Sequence, residues 1–317
     1  MRLPSKIIFD LDGVVYRGHT PVPGVAKAIG QLKAAGIAVA YLTNNATRSR
    51  RELLIRLRKM GIPAQLNEVM PSSFAAARYL EQMRPKPKTV FVLGEKGLRQ
   101  EIKSAGFDVL PPVLKGEHAA ATTFTKLSTG RYAPRADVLI TGLDRQVSYA
   151  KFASALDVLN SGAKWIACNL DPTLPMEHGA HPGSGSLNAL LGYAAGQVNH
   201  QKHAQAHAAS NRPLAALSQI ILREPDAVVG KPNPYMLELA SGKKFGAAQK
   251  ARSALSSCLF VGDRLDIDIQ FANAAGIPSM LVLTGVATKK EASKAKGLLK
   301  PNYILRSAAD LPKWLGL

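Results

Sequence analysis

The apolar run "IIFDLDGVVY", Ile7 to Tyr16, carries two carboxylates, Asp10 and Asp12, where a strand covered on both faces should continue. A carboxylate buried without a partner is costly, so this pattern calls for compensation. Two residues apart on extended backbone, both side chains aim to one side, which suits a hard divalent cation with oxygen ligands such as Mg²⁺. A second apolar run, "LFVGDRLDIDIQ", also ends in acid: Asp263, Asp266 and Asp268. Aspartates gathered from both runs into one crevice would repel one another, and a bound metal accounts for both clusters together. One cluster alone would read as a helix N-cap, a task open to Asp263 or Asp266.

Donors for an anion accompany the acids. "YLTNNATRS" places the Thr43 hydroxyl and the Asn44 backbone N–H where a strand gives way to a helix N-terminus. "VVGKPNPYML" places Lys231 between a strand-like run and a helix opened by proline, suited to neutralise a phosphoryl oxygen. The chemistry open to these segments together is the binding of a phosphoryl group, with metal and lysine offsetting its charge.

The elements that must position these groups alternate. "KIIFDLDG", "PGVAKAIGQLKAAG", "IAVAYLTNN" and the basic run "TRSRRELLIRLRKMG" read strand, helix, strand, helix, with Gly36 and Gly61 where the helices stop. The alternation resumes with "SSCLFVGD", "IQFANAAG", "PSMLVLTG" and "NYILRSAADLPKWL". It predicts an α/β fold with a Rossmann-like parallel sheet, whose ligands sit beyond the carboxyl ends of the strands. Asp10, Thr43 and Asp263 all fall at such ends. Between the halves lie "TVFVLG", "ADVLITGLD", "FASALDVLNSG", "KWIACN" and "SLNALLGYAAG", too long and regular for a loop. We therefore expect a core of residues 1–85 and 228–317 and an inserted α/β domain of residues 86–227.

The four segments "DLDGVVY", "LTNN", "GKPNP" and "GDRLDIDI", in this order, resemble the motifs of the haloacid dehalogenase-like phosphatase superfamily. More narrowly they resemble its type IIA branch of 4-nitrophenylphosphatase-like, phosphoglycolate and pyridoxal phosphate phosphatases, whose cap "TGLDRQVSYAKFASAL", "GAKWIACNLDPTLP" and "PGSGSLNALL" resemble. The resemblance implies that Asp10 is the nucleophile and Asp12 the general acid and base. It implies a Mg²⁺ site of Asp10, the Asp12 carbonyl, Asp263 and Asp268, and phosphate holders Thr43, Asn44, Asn45 and Lys231. It also implies a type II cap that selects the substrate, with specificity in "NLDPTLPMEHGAHPGSGS", and a homodimer formed through that cap. Dehalogenase relatives need no acid at the Asp12 position, so hydrolysis of a phosphate ester is expected. A histidine expected in pyridoxal phosphate phosphatases is replaced by Leu174, although His178 and His181 are nearby, which leaves phosphoglycolate-like or broad small phosphate esters ahead of pyridoxal, nucleotide or sugar phosphates. A phosphotransferase would use the same residues.

Composition bounds the alternatives. The chain has 317 residues, 46% hydrophobic and 20% charged, ordinary for a soluble protein, and no run long enough for a membrane helix or a signal peptide; it reads as cytoplasmic. The 41 Lys and Arg against 22 Asp and Glu give +19, which favours anionic partners, either small phosphorylated metabolites or nucleic acid. A nucleic-acid-binding protein on an inactive scaffold is the competing class, disfavoured by four intact motifs. Leu53, Leu54, Leu57 and Met60 recur at helical spacing in the basic run, which reads as an amphipathic helix with a solvated face, and no aromatic residues interleave with its charges. Cys168 and Cys258 read as reduced structural thiols. His200, His203 and His207 share a polar stretch without carboxylate or cysteine and read as an exposed loop or helix extension, not a metal site. Gly183 and Gly185 read as a turn before a helix, since a P-loop lysine is missing.

Overall fold

The computed structural model describes residues 3–110, 124–126, 132–175, 179–208, 222–241 and 257–317. The first apolar run becomes strand β1 (Lys6–Phe9), followed by a small antiparallel hairpin of β2 (Tyr16–Arg17) and β3 (Thr20–Pro21). Then α1 (Val25–Ala34), β4 (Ala38–Thr43), α2 (Arg50–Lys59), β5 (Val69–Pro71) and α3 (Ser72–Gln82) alternate. Val25, Ala28, Ile29 and Leu32 put one stripe of α1 into the core, the spacing that makes a helix amphipathic. Gly36 and Gly61 follow α1 and α2 with φ of 80° and 77°, a left-handed backbone that glycine adopts without strain. The start of α2 is set by a capping box: Ser49 accepts from the Glu52 N–H, and the Glu52 carboxylate accepts from the Ser49 N–H at 2.8 Å.

The basic face of α2 is not wholly solvated, contrary to its sequence pattern. Arg51, Arg58 and Lys59 are exposed, but Arg50 and Arg56 are half-buried. Arg50 donates from Nε to the Val69 carbonyl at 2.8 Å and lies over the Phe74 ring, while Arg58, though exposed, donates to the Ala64 carbonyl at 3.1 Å. Long side chains of this kind can carry their guanidinium groups from the helix surface to backbone acceptors, as these two do.

The middle of the chain holds β6 (Thr89–Leu93), α4 (Lys96–Ser104), β7 (Asp108–Val109), the pair β8 (Phe124–Lys126) and β9 (Tyr132–Pro134), then β10 (Val138–Thr141) and α5 (Tyr149–Asn160). It continues with β11 (Lys164–Ala167), the pair β12 (Thr173–Pro175) and β13 (Ala180–Pro182), α6 (Ser184–Ala208) and β14 (Ala227–Val228). Five strands form one sheet in the order β14-β11-β10-β6-β7, over a core that includes Phe91, Leu139, Trp165 and Leu191. The helix expected at "SLNALLGYAAG" runs on to Ala208, through the polar stretch, because its Ala, Gln and Lys residues are good helix formers. The side chains of His200, His203 and His207 lie outside the described residues.

The chain then returns through α7 (Tyr235–Ser241), β15 (Cys258–Gly262), β16 (Ser279–Val282) and β17 (Tyr303–Leu305). These strands complete a parallel six-stranded sheet in the order β17-β16-β15-β1-β4-β5. Its apolar core includes Ile7, Phe9, Leu57, Val261 and Met280, and each such side chain contributes roughly 1.5–3 kcal/mol on full burial. The fold is α/β. It divides into two compact units, one of Met1–Ala75, Pro175–Gly179 and Val229–Leu317, the other of Ala76–Leu174 and Ala180–Val228.

Candidate active site

Strands β15, β1 and β4 are neighbours in the six-stranded sheet, so their carboxyl ends adjoin. Asp263 follows β15, Asp10 follows β1, and Thr43 is the last residue of β4. On one side of β1 the order runs to β4 and β5, on the other to β15, β16 and β17, which makes this the point where an open sheet forms a crevice. Asp10, Asp263 and Asp268 are buried there, and one carboxylate oxygen from each lies within 4.8 Å of the others.

Lys231 is buried among them. Its Nζ donates to Asp10 Oδ1 at 2.5 Å and to Asp268 Oδ1 at 2.6 Å. The second oxygen of Asp268 accepts from the backbone N–H groups of Asp263 and Arg264 at 3.1 and 3.2 Å. Asp268 stands on a π turn, Leu265–Ile269, in which the Ile269 N–H reaches back five residues to the Arg264 carbonyl at 3.0 Å. Asp263 Oδ2 accepts from the Val286 N–H at 2.8 Å. A Cβ at Gly285 would stand 1.8 Å from that same oxygen, so only glycine leaves the carboxylate its place.

Burial pushes the Asp10 carboxyl well above the ordinary carboxylate range; Lys231 opposes this, and Asp268 and Asp263 add to it. Burial, with Asp268 beside it, raises Asp263 to about 7. Burial works against the charge on Lys231, but Asp10 and Asp268 together hold its proton more tightly than usual. Three carboxylates facing a single ammonium leave the cluster short of positive charge. A hard divalent cation fits that deficit, and oxygen ligands of this kind are the donor set such a cation prefers. Asp10, Asp263 and Asp268 would hold it.

Two sequence expectations need correction. Asp266 is exposed and bound to Arg264, at 3.1 and 2.8 Å, so it stays outside the acidic cluster. Asp10 and Asp12 do not stand on continuing strand: β1 ends at Phe9, and the N–H groups of Val14, Val15 and Tyr16 all turn back on the Leu11 carbonyl. The Asp12 carboxylate accepts the Tyr16 hydroxyl at 3.4 Å, and burial raises its pKa, with Arg56 opposing.

Thr43 and Asn44 are buried at the carboxyl end of β4, the strand next to β1. The Thr43 hydroxyl accepts the Asn45 N–H at 3.1 Å, and the Asn45 carboxamide oxygen accepts from Thr47 N–H and Oγ1 at 3.0 and 2.7 Å. The Asn44 side chain, whose backbone N–H alone entered the sequence reading, donates to the Lys231 carbonyl at 2.9 Å and accepts from the Lys231 N–H at 2.8 Å. Sequence reasoning missed that contact, and missed Tyr16 and Arg56; the one local signal was an aromatic residue four positions after Asp12. Of the histidines near Leu174, His181 is exposed and His178 lies outside the described residues.

A strand-end acidic triad bridged by lysine, on an open parallel sheet, marks a class of phosphoryl-handling α/β hydrolases, and comparison with known proteins agrees. The model of haloacid dehalogenase-like hydrolases matches residues 7–108, and that of HAD-like hydrolases residues 228–311. The D-glycerol 3-phosphate phosphatase of Mycobacterium tuberculosis is 32% identical over 298 residues, covering 94% of this chain and 68% of its own length. Phosphoglycolate phosphatase 2 of Arabidopsis thaliana is 30% identical over 313 residues, covering 98% of this chain and 92% of its own. The solved p-nitrophenyl phosphatase of Archaeoglobus fulgidus superposes with a TM-score of 0.72 at 27% identity, covering 99% of this chain and 100% of that one. Structures of a Mycobacterium tuberculosis glycerol phosphate phosphatase were solved in complex with magnesium and with calcium. The chain belongs to the haloacid dehalogenase-like hydrolase family, in its phosphatase branch. Among the described residues no helix is long and apolar enough to cross a membrane.

Proposed function

We propose that this protein is a Mg²⁺-dependent phosphoric monoester hydrolase that cleaves small organophosphates through an aspartyl phosphate on Asp10. The observation that carries the reading is Lys231 bridging Asp10 and Asp268 beside Asp263, with Thr43 and Asn44 at the adjoining strand end. A bound Mg²⁺ would offset the carboxylate and phosphate charges and polarise the phosphoryl group. An Asp10 carboxylate oxygen bonds to phosphorus while the bond from phosphorus to the ester oxygen breaks. Asp12 gives that oxygen its proton, and afterwards takes one from the water that hydrolyses the aspartyl phosphate. The Thr43 hydroxyl, the Asn44 and Asn45 segment and the Lys231 ammonium hold the phosphoryl oxygens.

The inserted region, expected at residues 86–227, serves in this reading as the specificity domain; the unit of Ala76–Leu174 and Ala180–Val228 has a sheet and core of its own. The relatives named for glycerol phosphate and phosphoglycolate support small, hydrophilic esters as substrates. Steady-state assays with Mg²⁺ on 4-nitrophenyl phosphate, phosphoglycolate and glycerol 3-phosphate test the proposal. Asp10→Asn should abolish turnover of all three with the fold intact by circular dichroism. Full activity in that variant would remove Asp10 from its role.

A further inference from the structure

The hairpin of β2 and β3 begins four residues after Asp12 and is held from two sides. On one side the Thr284 hydroxyl donates to the Gly13 carbonyl at 2.6 Å, and Arg17 donates from Nε to the Thr284 carbonyl. On the other, Arg56 reaches in from α2. Its guanidinium carbon lies 4.4 Å from the centroid of the Tyr16 ring, and an Nη–H donates to the Gly18 carbonyl in the hairpin turn. Tyr16 is 1% exposed, and its hydroxyl donates to Asp12 Oδ2 at 3.4 Å. The Arg56 Nε–H is buried and meets no acceptor among the described residues. An unmatched buried donor is unfavourable, so what keeps the side chain here is what the rest of the guanidinium holds: the face of Tyr16 and the hairpin.

We infer that Arg56 and Tyr16 are positioning residues for Asp12. Arg56 clamps the ring of Tyr16, and the Tyr16 hydroxyl holds the Asp12 carboxyl in the orientation from which it passes a proton to the leaving oxygen. The inference rests on the proposed role of Asp12 as general acid. A phenylalanine would fill the same apolar space, so the hydroxyl is the part of Tyr16 that packing does not explain. Proton transfer depends on placement within hydrogen-bond reach, so a carboxyl free to swing loses much of its effect. Arg56 lies three residues beyond Leu53 on the same helix, which fixes the guanidinium at the border between core and hairpin.

The leaving group separates this role from a merely structural one. A 4-nitrophenolate leaves with little help from an acid, whereas an alkoxide needs the proton. The test measures kcat/KM for parent, Tyr16→Phe, Arg56→Ala and Arg56→Lys with Mg²⁺. The substrates are 4-nitrophenyl phosphate and whichever of phosphoglycolate and glycerol 3-phosphate the parent turns over faster. We expect Tyr16→Phe to lose roughly tenfold or more on the alkyl ester, part of the about 10² to 10⁴ that a general acid contributes, and several-fold less on the aryl ester. Arg56→Ala should show the same asymmetry, and Arg56→Lys should recover part of it. Should Arg56→Ala fail to fold, Tyr16→Phe, which removes a single oxygen, decides the matter. Equal losses on the two esters, or none in Tyr16→Phe, overturn the inference alone. A parent inactive on every ester overturns the phosphatase reading and this inference with it.

Discussion

Asn44 grips the backbone of Lys231, 187 residues away, through both polar atoms of its carboxamide: Nδ2 donates to the Lys231 carbonyl at 2.9 Å and Oδ1 accepts from the Lys231 N–H at 2.8 Å. The end of β4 thereby sets where the lysine backbone stands, and with it the ammonium between Asp10 and Asp268.

Replacing Asn44 with alanine leaves a buried N–H and a buried carbonyl of Lys231 without their partner. A buried group left unsatisfied costs about 1–3 kcal/mol, so Asn44→Ala should melt at lower temperature than the parent. Its kcat/KM for 4-nitrophenyl phosphate should fall by an order of magnitude or more, since the ammonium is no longer held in place. Unchanged kinetics and unchanged melting would show that Lys231 is positioned by other contacts.

Mg²⁺ binding should stabilise the folded chain. A ligand at a hundred times its Kd adds about 2.7 kcal/mol when only the folded state binds it. Differential scanning fluorimetry of parent protein should therefore show a melting temperature that rises with Mg²⁺ and falls when EDTA is added. Asp263→Asn removes one of the three converging carboxylates and should flatten this response, even though it relieves repulsion in the metal-free protein. A full Mg²⁺ shift in that variant would place the cation elsewhere.

Two glycine-to-alanine changes should act in opposite directions. At Gly285 the added methyl would meet the Asp263 carboxylate oxygen at 1.8 Å, and a forced shift of this kind costs roughly 1–3 kcal/mol and displaces a metal-ligating group, so activity should drop with stability. Gly30 sits inside α1 with ordinary backbone and nothing within 4 Å of a built Cβ, so Gly30→Ala should stabilise by about 0.5–1 kcal/mol and leave turnover alone. Melting curves and initial rates on both variants check the pair.

In the second unit, Asp137 ties the start of β6 to that of β10. Its Oδ2 accepts from the N–H groups of Lys88 and Thr89 at 2.7 and 2.9 Å and from the Thr89 hydroxyl at 3.1 Å. Burial is the largest single influence and opposes ionisation, but these hydrogen bonds together outweigh it and hold the carboxyl below its ordinary value. A folded pKa lower than the unfolded one, about 3.9, means that the stabilisation is present above that pH and is lost as pH falls through the folded value. The stability gap between parent and Asp137→Asn should thus be open near neutrality and close on acidification below about 4. Urea melts of both proteins across that range measure it, and a gap independent of pH would exclude a role for the charge.

Much of this molecule is local information, and local information is legible in sequence. Apolar runs ending in Asp10 and Asp263, the leucine spacing of α2 and the glycines after α1 and α2 each depend on residues a few positions apart, which is the range over which backbone preference and side-chain periodicity act. The parallel sheet and the placing of Asp10, Thr43 and Asp263 at strand ends follow from that alternation and are found as expected. Relations between distant segments are another matter. That Asp266 turns out to Arg264 while Asp268 turns in to Lys231 was decided by a π turn, and that Asp12 meets Tyr16 was decided by where β1 stops. Arg56 carries the same charge as its exposed neighbours in the sequence; only the packing of α2 beside the hairpin singles it out. Side-chain type and spacing determined which chemical groups this protein has available. Which of them face one another depended on strand order and turn geometry across more than two hundred residues, because a contact between distant segments exists only once the sheet has brought them to the same end.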